Sequence, residues 1–480
     1  MSTIVALHDS GHDIRLSLDE PEPDVCPQWT SPIDSCARSD RSELPTCTRS
    51  LRSLVKHPRF MHYNRLIVSI LAANMVLFGY GLTVGRWWTS HGSALQTIAT
   101  IAQANFLLSI VPRQQFVINF ISWLATRPST MWPLRLRWML GKYSHLGGLH
   151  VGAAVAGTMW YLAFVVSSIL DFARGVGHVS SASVVVSVVV FTLFALMAGM
   201  AMPQFRASAH DRFEVTHRFC GWAALMLVWL NTVLFVTGQQ AGRPIALALL
   251  ATPAIWMLVI TTACALWPWL LLRKVPITVE RPSSHVALVG FDHGVTPAIG
   301  TTRSISRQPF VGWHHFANVP TASGSAGYRM VVSRAGDWTA AFIDDPPDHV
   351  WVRGMPTVGV ANVRKLFKKV VYIVTGSGIG PALGHLLADA NPSHLVWVTR
   401  NPRETYGDAL CDEVVGAQPD AVIWNTDERG KPDMVRLAYR AYIDADAEAV
   451  ICISNKRVTR QIVHEFERRG IPAFGPIWDS

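Results

Sequence analysis

The chain has 480 residues, of which 50% are apolar and only 16% are charged, and its mean hydropathy is +0.25. A soluble protein usually has about a quarter of its residues charged, so the composition excludes a chain that is water-soluble throughout. Lys and Arg exceed Asp and Glu by 42 to 33, a formal charge of +9. With long apolar runs, this excess favours a lipid bilayer as partner and argues against nucleic acid.

Residues 1–60 are rich in Ser, Asp, Pro and Arg and contain too few apolar residues to form a core. We expect a disordered cytosolic leader there. Its acidic residues and its lack of an apolar stretch argue against a secretory signal or a transit peptide. The seven cysteines are dispersed and form no CxxC pair, which is typical of a reduced, intracellular environment.

Long apolar runs begin after residue 60. A hydrocarbon layer of about 30 Å needs roughly 20 helical residues, so the runs predict a six-helix transmembrane domain over 61–273. The runs cover 66–85, 95–111, 146–170, 182–202, 219–237 and 245–272. A shorter apolar segment, 116–125, is expected to be an interfacial or re-entrant piece.

The basic residues of the connections predict the orientation. Segments 112–144 and 203–218 carry five and three Lys or Arg residues, whereas the alternate connections carry one each. Basic loops stay in the cytosol, so we expect a multi-pass integral membrane protein with both termini cytosolic. Neither the plasma membrane nor an internal membrane is favoured.

The remaining sequence has a water-soluble texture in two parts. Residues 274–365 show short alternating runs broken by Gly and Pro, which predicts a small antiparallel barrel or sandwich. From 366 to 480, β-branched strands alternate with helical segments, which predicts a doubly wound parallel sheet. The fold class is therefore a membrane helical bundle followed by an α+β and α/β module.

The strongest local motif is VVYIVTGSGIGPALG, in which a strand leads into Gly376, Gly378 and Gly380, followed by Pro381. Glycines let a backbone turn sharply and approach a pyrophosphate, and the following helix start offers free N–H groups. The motif predicts a phosphate-binding turn. Its spacing is not the usual G-x-G-x-x-G, so glycines that merely form a turn are the alternative.

This turn resembles the nicotinamide-nucleotide loop of the ferredoxin reductase-like superfamily. The segment WHHFANV at 313–319 resembles the W-H-P-F-T flavin motif of membrane ferric reductases and NADPH oxidases, and GDWT at 336–339 fits the same group. The stretches WVRGMPTVGV, VWVTRNPRETYGDAL and RGIPAFGPIWDS are similar to the Tmp-type membrane flavoproteins of filamentous fungi. In some relatives of that type, the same region ends an adenylate-forming enzyme.

The resemblance covers about residues 60–480. It implies a membrane FAD-dependent oxidoreductase that takes electrons from NADPH or NADH and passes them to an unknown electron acceptor. It also implies links to redox homeostasis, development or secondary metabolism. The alternative is a membrane redox sensor or signalling scaffold with little turnover.

By this resemblance, the flavin ring would be surrounded by four residues: Trp313, His314, His315 and Phe316. His315 replaces the family's proline and Ala317 its threonine. A guanidinium matches a diphosphate, so candidates for the flavin phosphates are Arg303, Arg307 and Arg329, with Tyr328 nearby to cover a ring. Solvated surface arginines are the alternative.

For the nicotinamide nucleotide, Arg400 and Arg403 follow the glycine turn by some 20 residues, where an arginine can hold the 2′-phosphate of NADPH. Surface ion pairs would explain them equally well. Cys452, Phe474 and Trp478 occupy places where related reductases have a cysteine beside the nicotinamide and an aromatic residue that shields the flavin. Core packing explains Cys452 as well.

Histidines lie near predicted helix ends: His145 and His150 in the third helix and His217 in the fifth, where His210 also lies. Ferric reductases hold two haems between histidine pairs 13 or 14 residues apart, but Asn231 stands 14 residues beyond His217. We therefore expect no outer haem. A single inner haem between His217 and either His145 or His150 is geometrically allowed; hydrogen-bonded histidines at the headgroup level are the alternative.

Overall fold

The computed structural model describes residues 44–45, 61–176, 179–239, 244–321, 326–388 and 391–476. Almost all of the predicted leader, and Trp478, lie outside these residues.

The first half of the described chain is helical, with one short hairpin, β1 (Trp88–Thr89) with β2 (Gly92–Ser93). Its helices are α1 (His62–Thr83), α2 (Leu95–Ile110), α3 (Gln115–Ala125), α4 (Leu134–Leu140), α5 (Gly147–Ala173), α6 (Ser181–Met200), α7 (Pro203–Ser208), α8 (His210–Gln239), α9 (Ile245–Ala251) and α10 (Pro253–Leu270).

Within the described residues, six helical stretches are long and apolar enough to cross a membrane. They are His62–Thr83, Leu95–Arg113, Leu134–Ala173, Ser181–Met200, His210–Gly238 and Pro253–Leu270. The last predicted run is divided into α9 and α10 because Pro253 has no N–H for a continuing helix and keeps Thr252 extended.

Polar side chains of the bundle point inward and bond across helices. Asn74 and Asn105 exchange amide hydrogen bonds of 2.9 and 3.1 Å, and Trp160 Nε1 donates to Asn74. In a second group, Ser183 Oγ donates to Asn231, which donates to the Tyr161 hydroxyl. The interior thus contains hydrogen-bonded polar groups beside buried apolar residues such as Phe164 and Leu258, and the outward surface is apolar.

Residues 273–358 form two antiparallel sheets. Their strands are β3 (Arg273–Pro276), β4 (Thr278–Glu280), β5 (Val286–Phe291), β6 (Thr301–Ser306), β7 (His314–Ala317), β8 (Tyr328–Ser333) and β9 (His349–Val358), and α11 (Asp337–Asp344) precedes β9. The orders are β3-β9-β6-β7 and β4-β5-β8. Inward-facing residues of both sheets, such as Val289 and Val352, pack into one shared core.

The C-terminal part is an α/β layer structure. Its elements are β10 (Val370–Thr375), α12 (Ile379–Leu386), β11 (Ser393–Thr399), α13 (Pro402–Tyr406), α14 (Asp408–Ala417), β12 (Val422–Asn425), α15 (Thr426–Arg429), α16 (Met434–Asp444), β13 (Ala449–Ile453), α17 (Lys456–Arg468) and β14 (Ala473–Phe474). The strand order is β12-β11-β10-β13-β14, and neighbouring strands pair in parallel. The order reverses direction at β10, as in doubly wound folds.

The helical half and the α/β part are joined by partly buried ion pairs. Arg137 of α4 binds Glu448 with its two Nη atoms, at 2.7 and 3.1 Å, and Lys142 binds Glu467. Arg137 is almost fully buried. Two-pronged contacts of this kind fix the orientation of a domain as well as its position.

Candidate flavin and nucleotide site

The glycine turn, residues 376–380, lies at the carboxyl end of β10. Gly376 has a φ of +49°, a left-handed conformation that favours glycine, and its carbonyl accepts a 3.0 Å hydrogen bond from Trp397 Nε1. A side chain on Gly378 would collide with the carbonyl oxygen of Ile453, at the end of β13. The turn therefore lies between β10 and β13, the crevice where doubly wound sheets bind ligands.

The helix after the turn packs on the antiparallel sheets. A methyl group on Gly380 would lie 3.2 Å from Val331 Cβ, and one on Gly384 would lie 3.1 Å from the Asn318 carbonyl oxygen. Asn318 directly follows the flavin strip, which we define as residues 313–317. The structure therefore brings the helix after the glycine turn next to the segment that follows the flavin strip, although the turn and the strip are some 60 residues apart in the sequence.

The flavin strip divides its side chains between two faces of the sheet, because neighbouring strand residues point in opposite directions. On one face, His314 and Phe316 approach the Trp338 ring, with centroid distances of 4.3 and 6.1 Å. On the other face, His315 Nε2 and Ser304 Oγ are 2.6 Å apart. The four predicted ring contacts thus cannot all lie on one side of a planar ring.

The GDWT segment, residues 336–339, begins α11 beside this strip. Thr339 Oγ1 accepts hydrogen bonds from the backbone N–H groups of Ala335 and Gly336, at 2.8 and 3.1 Å. This contact fixes the bend that leads into the helix. Trp338 is thereby held against His314, so two motifs distant in the sequence form one surface.

The three candidate phosphate ligands have different surroundings. Arg303 lies opposite Phe316 in the sheet, and its buried Nε and Nη1 atoms have no hydrogen-bond partner among the described residues. Arg307 binds Asp345 at the surface. Arg329 binds Glu413 of α14 and the Pro320 carbonyl, so it joins the two parts of the module. Arg303 fits an anionic group best.

Tyr328, expected to cover a ring of the ligand, instead packs in the core of the sheets. Its ring stacks on Phe291 with a centroid distance of 4.5 Å, and burial raises the pKa of its hydroxyl. The tyrosine is therefore a core residue beside Arg303.

Burial lowers the pKa of both histidines of the flavin strip. For His314 burial is the main cause; for His315 burial and the neighbouring Arg353 lower the pKa to about 3. Both imidazoles are therefore neutral near pH 7 and act as hydrogen-bonding groups rather than as charges.

Arg353 of β9 is a residue that the sequence analysis missed. Its guanidinium contacts two indole rings, 4.3 Å from the centroid of Trp313 and 4.8 Å from that of Trp269, at the end of α10. Such cation–π contacts are strongest when water is excluded. The strip is thus fastened to the last long helix. The only feature of the sequence that could have indicated this contact is an arginine within the predicted strand WVRG.

The two arginines expected at the 2′-phosphate follow β11 and lie at the surface. Arg403 binds both Asp408 and Asp412 at 2.7 Å. Arg400 is 81% exposed and contacts Asp427 at 3.0 Å. Surface ion pairs, the alternative weighed from the sequence, therefore describe both residues in this structure, and Arg400 is the more available of the two.

Cys452 lies in the interior of the sheet. Its side chain is fully buried, its thiol contacts Thr459 at 3.8 Å, and burial raises its pKa to about 12. Phe474 packs on Phe367 at 5.5 Å. Core packing, the alternative considered for Cys452, is what the structure shows; Trp478 lies outside the described residues.

The histidines near the helix ends form two separate groups. His150 and His217, on α5 and α8, have ring centroids 6.3 Å apart, and His150 Nδ1 is 2.9 Å from the Ser109 carbonyl oxygen. His145 instead faces His62 at 6.0 Å. Two imidazoles that bind the same metal ion can have ring centroids about 6 Å apart if each metal–nitrogen bond is about 2 Å. The distance between the rings of His150 and His217 therefore fits an iron.

A metal site made only of protein ligands has no support in the described part of the chain. No group of three or more His, Cys, Asp or Glu side chains there could hold a metal ion.

The strand order, the glycine turn and the paired antiparallel sheets define a two-part module of the doubly wound class behind a helical bundle. The chain is 39% identical over 443 residues to adenylate-forming reductase 06235 of Coprinopsis cinerea, an alignment that covers 91% of this chain and 42% of the relative. It is 38% identical to adenylate-forming reductase 03009 of the same fungus, over 90% and 41%. The chain spans about two fifths of the length of these relatives.

A family model described as the C-terminal domain of adenylate-forming reductase 03009 matches residues 360–480. The chain is thus related to part of these fungal reductases, as the resemblance implied for some relatives. The more specific resemblance to Tmp-type flavoproteins stays a prediction.

Solved structures are similar to the chain only distantly. A ferredoxin NADP+ reductase from Neisseria gonorrhoeae with bound FAD and NADP is 13% identical, with a TM-score of 0.34 over 43% of this chain and 98% of that one. A flavohemoglobin from Malassezia yamatoensis is 14% identical, with a TM-score of 0.38 over 81% and 99%. The fold description therefore rests on the strand order given above.

Proposed function

We propose that the protein is an integral membrane oxidoreductase that binds FAD and NADPH or NADH and passes electrons to an acceptor at the membrane. The observation that carries the proposal is the packing of the helix after the glycine turn on the segment that follows the flavin strip. Hydride transfer requires that the two nucleotides are held close together, and this packing supports such an arrangement. The related adenylate-forming reductases support the reductase assignment by name.

The residues present fit a flavin. Arg303 offers buried N–H groups without a partner among the described residues, the start of α11 offers backbone N–H groups, and His314 and Phe316 offer flat ring surfaces. When bound, FAD supplies the chemistry of accepting a hydride and releasing electrons. The protein binds and orients both nucleotides and excludes water from the space between them.

Membrane integration is supported by the arrangement of the bundle. Only 6% of the residues in the apolar stretch of α1 are buried inside the chain, and Val76 is 75% exposed. Polar groups such as Asn74 and Asn231 instead form hydrogen bonds inside the bundle. In water this arrangement would be unstable; in lipid it is expected. We infer that six helices cross the bilayer, with both termini in the cytosol.

A single haem between His150 and His217 is a second, narrower proposal. The 6.3 Å centroid distance supports it, and the Ser109 carbonyl fixes the tautomer of His150 by accepting from Nδ1, which leaves Nε2 toward a metal. Asn231, whose side chain bonds Ser183 and Tyr161, takes the place of an outer ligand.

Visible spectroscopy of the full chain, purified in detergent, tests both proposals. We expect a flavin spectrum and oxidation of NADPH in the presence of an artificial acceptor. Bound flavin that NADPH and NADH leave oxidised would favour the sensor alternative, and protein that binds no flavin would overturn the assignment. Low-spin haem bands would establish the inner haem, and their absence from protein expressed with sufficient haem would exclude it.

A further inference from the structure

Helix α3 carries two different faces along its length. On one face, Gln115 Oε1 accepts from the backbone N–H of Met355 at 2.8 Å, and Asn119 accepts from Val358 and donates to the Pro356 carbonyl. Ser122, one turn further, accepts from the Asn362 amide at 3.0 Å. This face therefore holds strand β9 and the segment after it.

The other face of α3 is apolar and open. Its residues follow helical spacing and are 44 to 59% exposed: Phe116, Phe120, Trp123 and Leu124. Phe116 contacts Trp267, near the end of α10, with ring centroids 6.4 Å apart. The open face is therefore continuous with the end of a helix proposed to cross the membrane.

Exposed apolar residues continue along the chain as far as residue 139. Met131, Trp132 and Met139 are exposed, and two exposed cations, Arg127 and Arg135, lie among them. The Arg127 guanidinium lies 4.3 Å from the centroid of the Trp123 ring. We refer to residues 115–139 as the interfacial segment.

The charge of this region is of one sign. The sequence contains no Asp or Glu between residues 61 and 170, while Arg137 and Lys142 are already paired with Glu448 and Glu467. Arg127 and Arg135 therefore add positive charge to an apolar, tryptophan-rich surface. Tryptophan favours the headgroup level of a bilayer, and basic residues favour its anionic leaflet.

From this geometry we propose that the interfacial segment lies in the headgroup layer of the cytosolic leaflet, where Arg127 and Arg135 bind the phosphates of anionic phospholipids. The inference rests on the membrane integration proposed above. The opposite face of α3 bonds directly to β9 and Asn362, so the lipid surface fixes the height of the flavin strip and the nucleotide sheet above the bilayer.

Lipid selectivity of the full chain tests this inference without any redox assay. The protein is reconstituted in phosphatidylcholine bilayers that contain spin-labelled phosphatidylserine or spin-labelled phosphatidylcholine, and the motionally restricted lipid is measured. We expect preference for phosphatidylserine, weakened by salt. The preference should fall about fivefold for each arginine removed in Arg127→Gln and Arg135→Gln. Arg174→Gln, at the other end of the bundle, is the matched control and should leave it unchanged.

Several results would overturn the inference. These are equal restriction of both lipids by the wild-type protein, unchanged preference in the double variant, or an equal loss in Arg174→Gln. A dimer that dissociates in the double variant would assign the surface to a second copy of the chain. If neither lipid is restricted at all, membrane integration itself fails, which distinguishes the two proposals.

Discussion

Residues 273–476 and residues 61–270 contain the same kinds of apolar side chain but differ in how many of them they bury. In the strands, valines and isoleucines such as Val289, Ile373 and Val450 lie in closed cores. In the helices, residues such as Val76 and Val185 lie on the outer surface, while hydrogen-bonded amides and hydroxyls share the interior with apolar residues such as Phe164. The difference is the one that the proposed membrane integration requires, with water around the sheets and lipid around the helices.

Among substitutions in residues 273–476, the largest loss of activity is expected in the glycine turn. Gly378→Ala places a methyl group against the Ile453 carbonyl and should shift the turn, so NADPH reduction of bound flavin should fall roughly 100-fold while flavin content is kept. The rate of flavin bleaching measures the effect. Gly416→Ala, where a methyl group meets no described atom within 4 Å, is the matched control. Equal rates in the two variants would contradict the role of the turn.

Acid should destabilise residues 273–476 through two histidines, His315, which is half-buried, and His385 of α12, which is buried. Burial lowers the pKa of His315 and of His385 to about 3, whereas in the unfolded chain both protonate near pH 6.5. Stability is therefore complete above that pH and falls as the pH drops toward 3, by about 2 kcal/mol per histidine at pH 5. Thermal unfolding at pH 7 and pH 5 measures the loss, and His315→Gln with His385→Gln should flatten the pH dependence. An unchanged slope would show that these imidazoles protonate in the folded protein.

In the helical region, replacing an interior polar residue with alanine should cost more stability than replacing an apolar residue of the outer surface. Asn231→Ala leaves the Ser183 and Tyr161 hydroxyls without their shared partner and should cost about 1 to 2 kcal/mol, seen as a lower unfolding temperature in detergent. Val76→Ala on the outer surface should change stability by less than about 0.5 kcal/mol. If Val76→Ala is the more damaging of the two, the helices face a protein core rather than lipid.

The smallest expected effect concerns nucleotide choice. If Arg400 holds the 2′-phosphate, Arg400→Gln should raise the KM for NADPH about tenfold and leave that for NADH unchanged. Steady-state kinetics with both nucleotides measure the ratio. Arg436→Gln, a similarly exposed arginine with an acidic neighbour, is the control. Equal changes for both nucleotides would remove Arg400 from the 2′-phosphate.

Local patterns predicted much of this arrangement. The strand, glycines and helix of 370–386 follow from residues close in sequence, as do the long apolar helices. The surroundings of Arg329, Cys452 and Arg353 could not be predicted, because Glu413, the buried sheet interior and Trp269 come from distant parts of the chain. The choice between His145 and His150 as the neighbour of His217 likewise depended on how α5 turns relative to α8.

The most direct test of the central claim is hydride transfer itself. The full chain, loaded with FAD, is mixed without oxygen with NADPH or with NADPH deuterated at the transferred position, and flavin absorbance is followed in a single turnover. If the glycine turn and the flavin strip hold the two nucleotides face to face, both forms bleach the flavin, and the deuterated form does so more slowly. Flavin that stays bound and oxidised with either form would contradict the account.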